Sequence, residues 1–154
     1  MAFAEGTTVA FEKSIAEIVG TLRKSGAQRI GQEEGPDQYL IQFLLQDRLI
    51  RFRLPLPKLE SMPTMNGRRE TLTAPQRRDK LDQAVRQRGR ALLLVIKAKL
   101  ESVESKIETL EEAFLANVVM ADGMTVYERV AQPIQMEYES GKPQVMMLPP
   151  PPAN

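Results

Sequence analysis

The sequence predicts an α+β fold: an N-terminal β-α-β-β-β antiparallel unit followed by three or four helices. Three observations predict it. Residues 38–54 alternate their side chains through two adjacent runs, the period of half-buried strands. Ser14/Glu17, Thr109/Glu112 and Thr125/Glu128 have the spacing of a capping box, in which a hydroxyl accepts from the third helical N–H and the carboxylate reaches back. Between them, from Gln76 to about Ser105, apolar residues recur at helical intervals.

In chain order, Thr7 to Phe11 is a short β-prone run. A helix is expected over 15–25, opened by Ser14 and Glu17, with Ile15, Ile18, Val19 and Leu22 on one face and Gly26 as its left-handed stop. Strands follow at 27–33, 38–46 and 49–54, separated by Glu34-Gly-Pro-Asp37 and by Gln46-Asp-Arg48. Tyr39, Ile41, Phe43 and Leu45 share a face, as do Ile50, Phe52 and Leu54, which places Arg51 and Arg53 together on the opposite side. Pro55 and Pro57 end the third strand.

Residues 58–74 lack periodicity and read as a flexible connection, with Pro75 suited to a helix first turn. Ala91 to Ile96 is apolar all round, so Leu92, Val95, Ile96 and Leu100 are expected in the core. Ile96, Leu100, Val103, Ile107, Leu110 and Phe114 have coiled-coil spacing, but Thr109/Glu112 argues for a break near Lys106 and a restart at Leu110. Asp122-Gly123 is a turn. Thr125 opens a last helix to about Ser140, with a kink or break expected near Gln132, because Pro133 falls inside it, and a stop at Gly141. The resulting organisation is a sheet unit over 1–57, the connection over 58–74, a helical part of the same domain over 75–141, and a Pro-rich tail over 142–154.

The chain has 154 residues, 42% apolar and 27% charged, as expected of one globular domain. It has no Cys and no His. That excludes thiolate and imidazole metal sites, disulfides, and nucleophilic catalysis through Cys or a Ser–His pair. No export signal or membrane span is read at the N-terminus, so the cytoplasm is the expected compartment. No metal or other cofactor is expected, and no membrane partner; a homo-oligomer is compatible with the sequence.

The net charge of +1 conceals an asymmetry. Residues 1–66 are neutral, 67–99 carry +7 and 100–140 carry −7. Such a split points to an anionic partner or to a match between the two parts. Arg68, Arg69, Arg77, Arg78, Lys80, Arg86, Arg88 and Arg90 dominate the basic part, and Arg suits bidentate phosphate contact. Around a helix they spread over more than half the circumference, so solvation or pairing with the acidic half are the competing readings. Arg51 and Arg53 add to the basic set. Tyr39 and Phe43 are better placed for core packing than for base stacking, so base-specific reading has little support. In the acidic half, Glu101, Glu104, Glu108, Glu111 and Glu112 beside an apolar stripe form a candidate protein-docking face.

Enzyme signatures are weak. Gly141-Lys142 lacks the earlier Gly of a P-loop. Pro36-Asp37 and Glu104-Ser-Lys106 imitate a metal-nuclease pattern, but a hairpin turn and a helix end do not converge carboxylates on an ion. Glu33-Glu34 and Glu111-Glu112 are neighbours whose side chains diverge.

Arg51-Phe-Arg-Leu-Pro-Leu-Pro57, Arg86-Gln-Arg-Gly-Arg90, Ala91-Leu-Leu-Leu-Val-Ile-Lys-Ala-Lys-Leu-Glu101, Glu111-Glu-Ala-Phe-Leu115, Met120-Ala-Asp-Gly-Met-Thr-Val126 and Tyr138-Glu-Ser-Gly141 occur in this order. This arrangement resembles a group of small phage and prophage proteins without an assigned function. The resemblance implies a viral genome context and little about mechanism, since its motifs are not catalytic signatures. It departs at Lys106, where similar sequences place Gly; a Lys at a helix break costs strain. The function expected is a non-enzymatic accessory protein binding nucleic acid without base specificity through the basic set. The alternative is a module that binds and inhibits a host defence protein. A phosphate-ligand pocket at an oligomer interface is a third reading.

Overall fold

A computed structural model describes residues 4–145. Its elements are α1 (Phe11–Lys24), β1 (Gln28–Glu34), β2 (Gln38–Leu45), β3 (Arg48–Pro55), α2 (Ala74–Glu104), α3 (Leu110–Phe114) and α4 (Val126–Ser140). The fold is α+β, with a three-stranded antiparallel sheet in the order β1-β2-β3. The expected first strand is absent: Thr7–Ala10 is irregular, and Phe11 already belongs to α1. The Pro-rich run at 149–152 lies outside the described residues.

The start of α1 corrects the Ser14/Glu17 capping box. Ala10 is the N-cap and Ser14 lies within the helix, fully buried, its hydroxyl without a hydrogen-bond partner. Burial of Phe11 accounts for the extra turn. Its ring meets Tyr39 edge-on at 5.5 Å, so the core draws that residue into the helix. Burial, then the nearby Glu34 carboxylate, push the Tyr39 phenol up to about 12, and it donates to Gln32 Oε1 at 2.6 Å.

The sheet follows its alternation. Tyr39, Ile41, Phe43 and Leu45 of β2 and Ile50, Phe52 and Leu54 of β3 are all buried on one face. Phe43 pairs with Ile50 and Ile41 with Phe52 across the strands. The rings of Phe43 and Phe52 stack at 6.4 Å, and Phe114 of α3 stands edge-on to both. α1 and the second half of α2 cover this face, contributing Ile15, Ile18, Leu22, Leu92, Leu93, Ile96 and Leu100 to one core. Leu92, Ile96 and Leu100 are buried as expected, but Val95 is 44% exposed and Leu93 takes its place inside. An apolar run on a helix therefore marks the core without fixing its face; Val95 falls on a side of α2 that the core does not cover.

The outer edge of β3 is not bare. Val118 bridges Ile50, Val119 N–H donates to the Leu49 carbonyl, and Val119 bridges Thr125 around the Asp122-Gly123 turn. Residues 117–126 thus form a small hairpin along the sheet. The sequence signal for it is the pair of β-branched dipeptides, Val118-Val119 and Thr125-Val126, flanking Asp-Gly. The connection over 58–73 also has structure of its own: a 3-10 turn at Leu59–Ser61 and a bridge between Met65 and Thr71.

Two helix stops share one geometry. Gly26 has φ +88°, and Ala27 and Gly26 donate to the Leu22 and Arg23 carbonyls. Lys106 has φ +59°, and Ile107 and Lys106 donate to the Ser102 and Val103 carbonyls. Both close the Schellman way, in which a left-handed residue turns the chain back on the last carbonyls. The break near Lys106 and the restart at Thr109 stand as expected, and Ile107 is 77% exposed, so the coiled-coil seam does not form. The break expected near Gln132 does not occur: α4 runs through Pro133 without interruption to Ser140, with Gly141 as its left-handed stop.

α1 and α2 approach most closely at Gly89. A Cβ there would lie 2.7 Å from Phe11 Cδ2 and 3.3 Å from Ser14 Cβ. Ala normally favours a helix by about 1 kcal/mol over Gly. Here Gly89→Ala should instead destabilise, by about 1–3 kcal/mol, because a buried ring must move. Urea unfolding of the variant measures it. At Lys106 the sign reverses: Lys106→Gly should gain about 1 kcal/mol by relieving the left-handed strain, read as a raised denaturation midpoint.

Candidate nucleic-acid interface

The basic residues belong to two surroundings. Arg51 and Arg53 sit on the outward face of β3, opposite Gln42 and Leu40 of β2. Arg51 Nη1 donates to the Gly123 carbonyl at 2.8 Å and Nε to Gln42 Oε1 at 3.4 Å. Arg53 Nε meets Glu128 Oε1 at 3.2 Å, while the other oxygen of that carboxylate accepts from the Thr125 N–H in the cap of α4. These two arginines brace the hairpin and the start of α4 against the sheet. The expected facing is right, with Phe52 and Leu54 inside and the arginines outside, but Arg51 is half-buried and both guanidinium groups are engaged.

Four arginines of α2 behave alike. Arg77 Nη2 donates to the Leu59 and Met62 carbonyls at 2.9 and 3.2 Å, clamping the 3-10 turn. Arg86 donates twice to Gln83 Oε1, and Gln83 Nε2 donates in turn to the Glu5 and Thr7 carbonyls. Arg88 Nε reaches the Pro55 carbonyl at 3.1 Å, and Arg90 Nη1 pairs with Glu17 Oε2 on α1 at 3.0 Å. Guanidinium, with five donors in a rigid fork, suits such carbonyl fastening as well as it suits phosphate.

Arg68, Arg69 and Arg78 differ. All are exposed, and their side chains make no hydrogen bond or ion pair among the described residues. Arg68 and Arg69 lie on a tight turn organised by Asn66, whose Oδ1 accepts from the Arg68 and Glu70 N–H groups. Arg78 lies in the first turns of α2, whose N-cap Thr73 forms a capping box with Gln76. Lys80 is exposed beside it. Residues 74–80 are exposed apart from the half-buried Arg77, so the first turns of α2 and the turn before them project beyond the core.

The acidic set is occupied locally. Glu101 accepts from Ser105 Oγ, Glu104 from Ser25 Oγ and Glu108 from Ser102 Oγ. Glu111 pairs with Arg48 at 2.8 Å, and Glu112 caps α3 by accepting from the Thr109 N–H. Among the described residues, no ion pair joins the +7 segment to the −7 segment; Arg90 pairs back to α1, and Arg48 and Arg53 reach the acidic part from the sheet. The two charged regions therefore do not neutralise each other by direct contact.

Tyr39 and Phe43 are buried, which removes them as stacking platforms. Among the described residues no three His, Cys, Asp or Glu side chains are grouped to hold a metal ion, and no helix is long and apolar enough to cross a membrane.

The Thr109 N–H, then its hydroxyl, hold Glu112 below the usual carboxylate range. A hydrogen bond from Arg129, then the Met124 N–H, do the same for Asp122. The unfolded chain binds these protons more readily, so the stability they confer is present at neutral pH and lost as pH falls through the folded pKa. Asp122→Asn should therefore flatten the acid side of the stability–pH curve, measured by urea midpoints from neutral pH downward.

Comparison with protein-family models, with curated proteins and with solved structures finds no match to this chain.

Proposed function

We propose that this is a non-enzymatic accessory protein, of the phage type its sequence resembles, that binds nucleic acid without base specificity. The observation that supports this is the unpaired charge around the projecting end of α2: residues 67–99 carry +7, and among the described residues only Arg90 of that stretch enters an ion pair. The contact set is narrower than the sequence suggests. Arg68, Arg69 and Arg78, with Lys80, have free donors at the projecting end, whereas Arg51, Arg53, Arg77, Arg86, Arg88 and Arg90 spend theirs on the fold. Phosphate contacts from such a cluster fix position on a strand and carry no sequence information.

A second reading, a module that binds a host protein, draws support from α4. That helix has no buried residue and exposes Tyr127, Ile134, Met136 and Tyr138. The face expected for docking, from Glu101 to Glu112, is instead taken up by its own serines, Arg48 and a cap.

Each phosphate contact releases a condensed counterion, so three contacts should give a log–log salt slope of about −2 on single strands and about −3 on duplex. Fluorescence anisotropy with labelled oligonucleotides at several salt concentrations measures the slope. Reversing Arg68, Arg69 and Arg78 together to Glu should abolish binding for all sequences alike. Absence of binding by the native chain at about 50 mM salt and tens of micromolar protein overturns the reading, since non-specific binders reach 10⁻⁴ to 10⁻⁶ M at roughly physiological salt.

A further inference from the structure

The two edges of the sheet differ. The edge of β3 receives the hairpin at 117–126, whereas nothing among the described residues pairs with the outer edge of β1. The Gly35 N–H donates to the Gln38 carbonyl, so in the regular ladder beside it Gly31 and Glu33 turn their backbone groups toward β2. Gln32 and Glu34 turn theirs outward, and both residues are exposed. Beside this edge, a groove of about 410 Å³ runs between β1 and α1. Its middle is apolar, with Ile15, Ala16 and Val19 of α1 and Tyr39 of β2. Glu12 and Glu34 stand together at one end, where both also line the neighbouring cleft, and Arg23 in the last turn of α1 stands at the other. None of these three side chains enters an ion pair among the described residues.

We propose that a second copy of the chain covers this groove, its β1 adding antiparallel to β1 about a two-fold axis normal to the sheet. Such an axis keeps both α1 helices on one face, over a shared groove. A parallel pairing needs an axis along the strands, which puts the helices on opposite faces and Glu33 against Glu33. The groove is acidic at one end, apolar in the middle and basic at the other, and that pattern turned by half a revolution matches itself. Glu12, Ala16, Val19 and Arg23 follow one another on α1 at intervals of 4, 3 and 4. Laid antiparallel on its copy, this seam sets Glu12 level with Arg23 and Ala16 level with Val19. Helix and strand agree on the position of the axis. Phe11 touches Tyr39, whose partner on β1 is Glu34, and at the other end Lys24 leads directly through a turn to Gln28. At about 1.5 Å per helical residue and about 3.3 Å per strand residue, the midpoint between Glu12 and Arg23 falls level with Gly31. An axis there sets Gln32 opposite Ile30 and Glu33 opposite Arg29 of the other copy, and neither set of pairs brings like charges level.

Equilibrium sedimentation of the full chain tests this. The native protein should sediment as a dimer at micromolar concentration. Ala16→Arg, at an exposed position of α1, should sediment as a monomer with an unchanged circular dichroism spectrum. Glu12→Arg and Arg23→Glu should each weaken self-association about three- to tenfold, as expected for an exposed ion pair repeated by symmetry. An equimolar mixture of these two variants should recover native affinity, because each then meets the opposite charge on the other chain. The chain has no Cys, so single cysteines report direction. Glu12→Cys mixed with Arg23→Cys should form a disulfide-linked heterodimer, whereas neither variant alone should cross-link. Cross-linking of Glu12→Cys with itself, no recovery in the mixture, or a dimer untouched by Ala16→Arg overturns this arrangement. A native chain that stays monomeric at every concentration overturns it as well.

Discussion

The packing of α1 on α2 turns on a missing side chain. Gly89 lets the Phe11 ring and the Ser14 Cβ come within the space a methyl group would fill. Phe11 can then reach Tyr39 on the sheet, and the two helices share one layer above the strands. The same contact divides α2 into a half buried in the core, from Gly89 onward, and a half that is not. An unpartnered hydroxyl at Ser14 is the cost of that closeness. A larger apolar residue there would not fit between the helices, and a smaller one would leave less surface in contact.

Around this apolar centre, arginine does most of the long-range fastening. Arg51, Arg77 and Arg88 each donate to a backbone carbonyl of a distant turn or strand end. Arg48, Arg53 and Arg90 reach carboxylates on other elements. The targets are carbonyls at chain reversals, where strands and helices leave acceptors unpaired. The exposed ion pairs among them are each worth little in water. Their effect is positional: they set where the hairpin and the connection lie against the sheet and α2.

Strands two to four of the expected unit, the capped starts at Thr109 and Thr125, the stops at Gly26 and Gly141 and the break at Lys106 were all legible, because each depends on residues within a few positions. What was not legible depended on tertiary contact. Ser14 has a cap's spacing, yet the core draws Phe11 into the helix and overrules it. Val95 belongs to an apolar run, yet α1 and the sheet lie on the opposite side of α2. The basic set could be counted but not sorted, since the partner of Arg88 is the carbonyl of Pro55 and that of Arg90 is Glu17. The edge hairpin left a local trace at Asp122-Gly123 but no sign that β3 would receive it.

α2 is long for a chain of this size: 31 residues, about 46 Å at 1.5 Å per residue. Its fully buried residues all lie from Gly89 onward, and before them Val85 packs on the core and Gln83 holds the Glu5 and Thr7 carbonyls, so some 14 Å of helix, from Ala74 to Asp82, overhangs like a cantilever. The overhang turns a small tilt at its root into a larger sweep at its tip; about 5° there moves Thr73 by roughly 1 Å. Two stays oppose that tilt, the Arg88 hydrogen bond to the end of β3 and the Arg77 clamp on the turn at Leu59–Ser61. The stiffness of the distal end is therefore set largely by side-chain hydrogen bonds, and a load applied near Arg68 and Arg69 would be felt first at the turn that Arg77 clamps and then at Pro55, where the sheet ends.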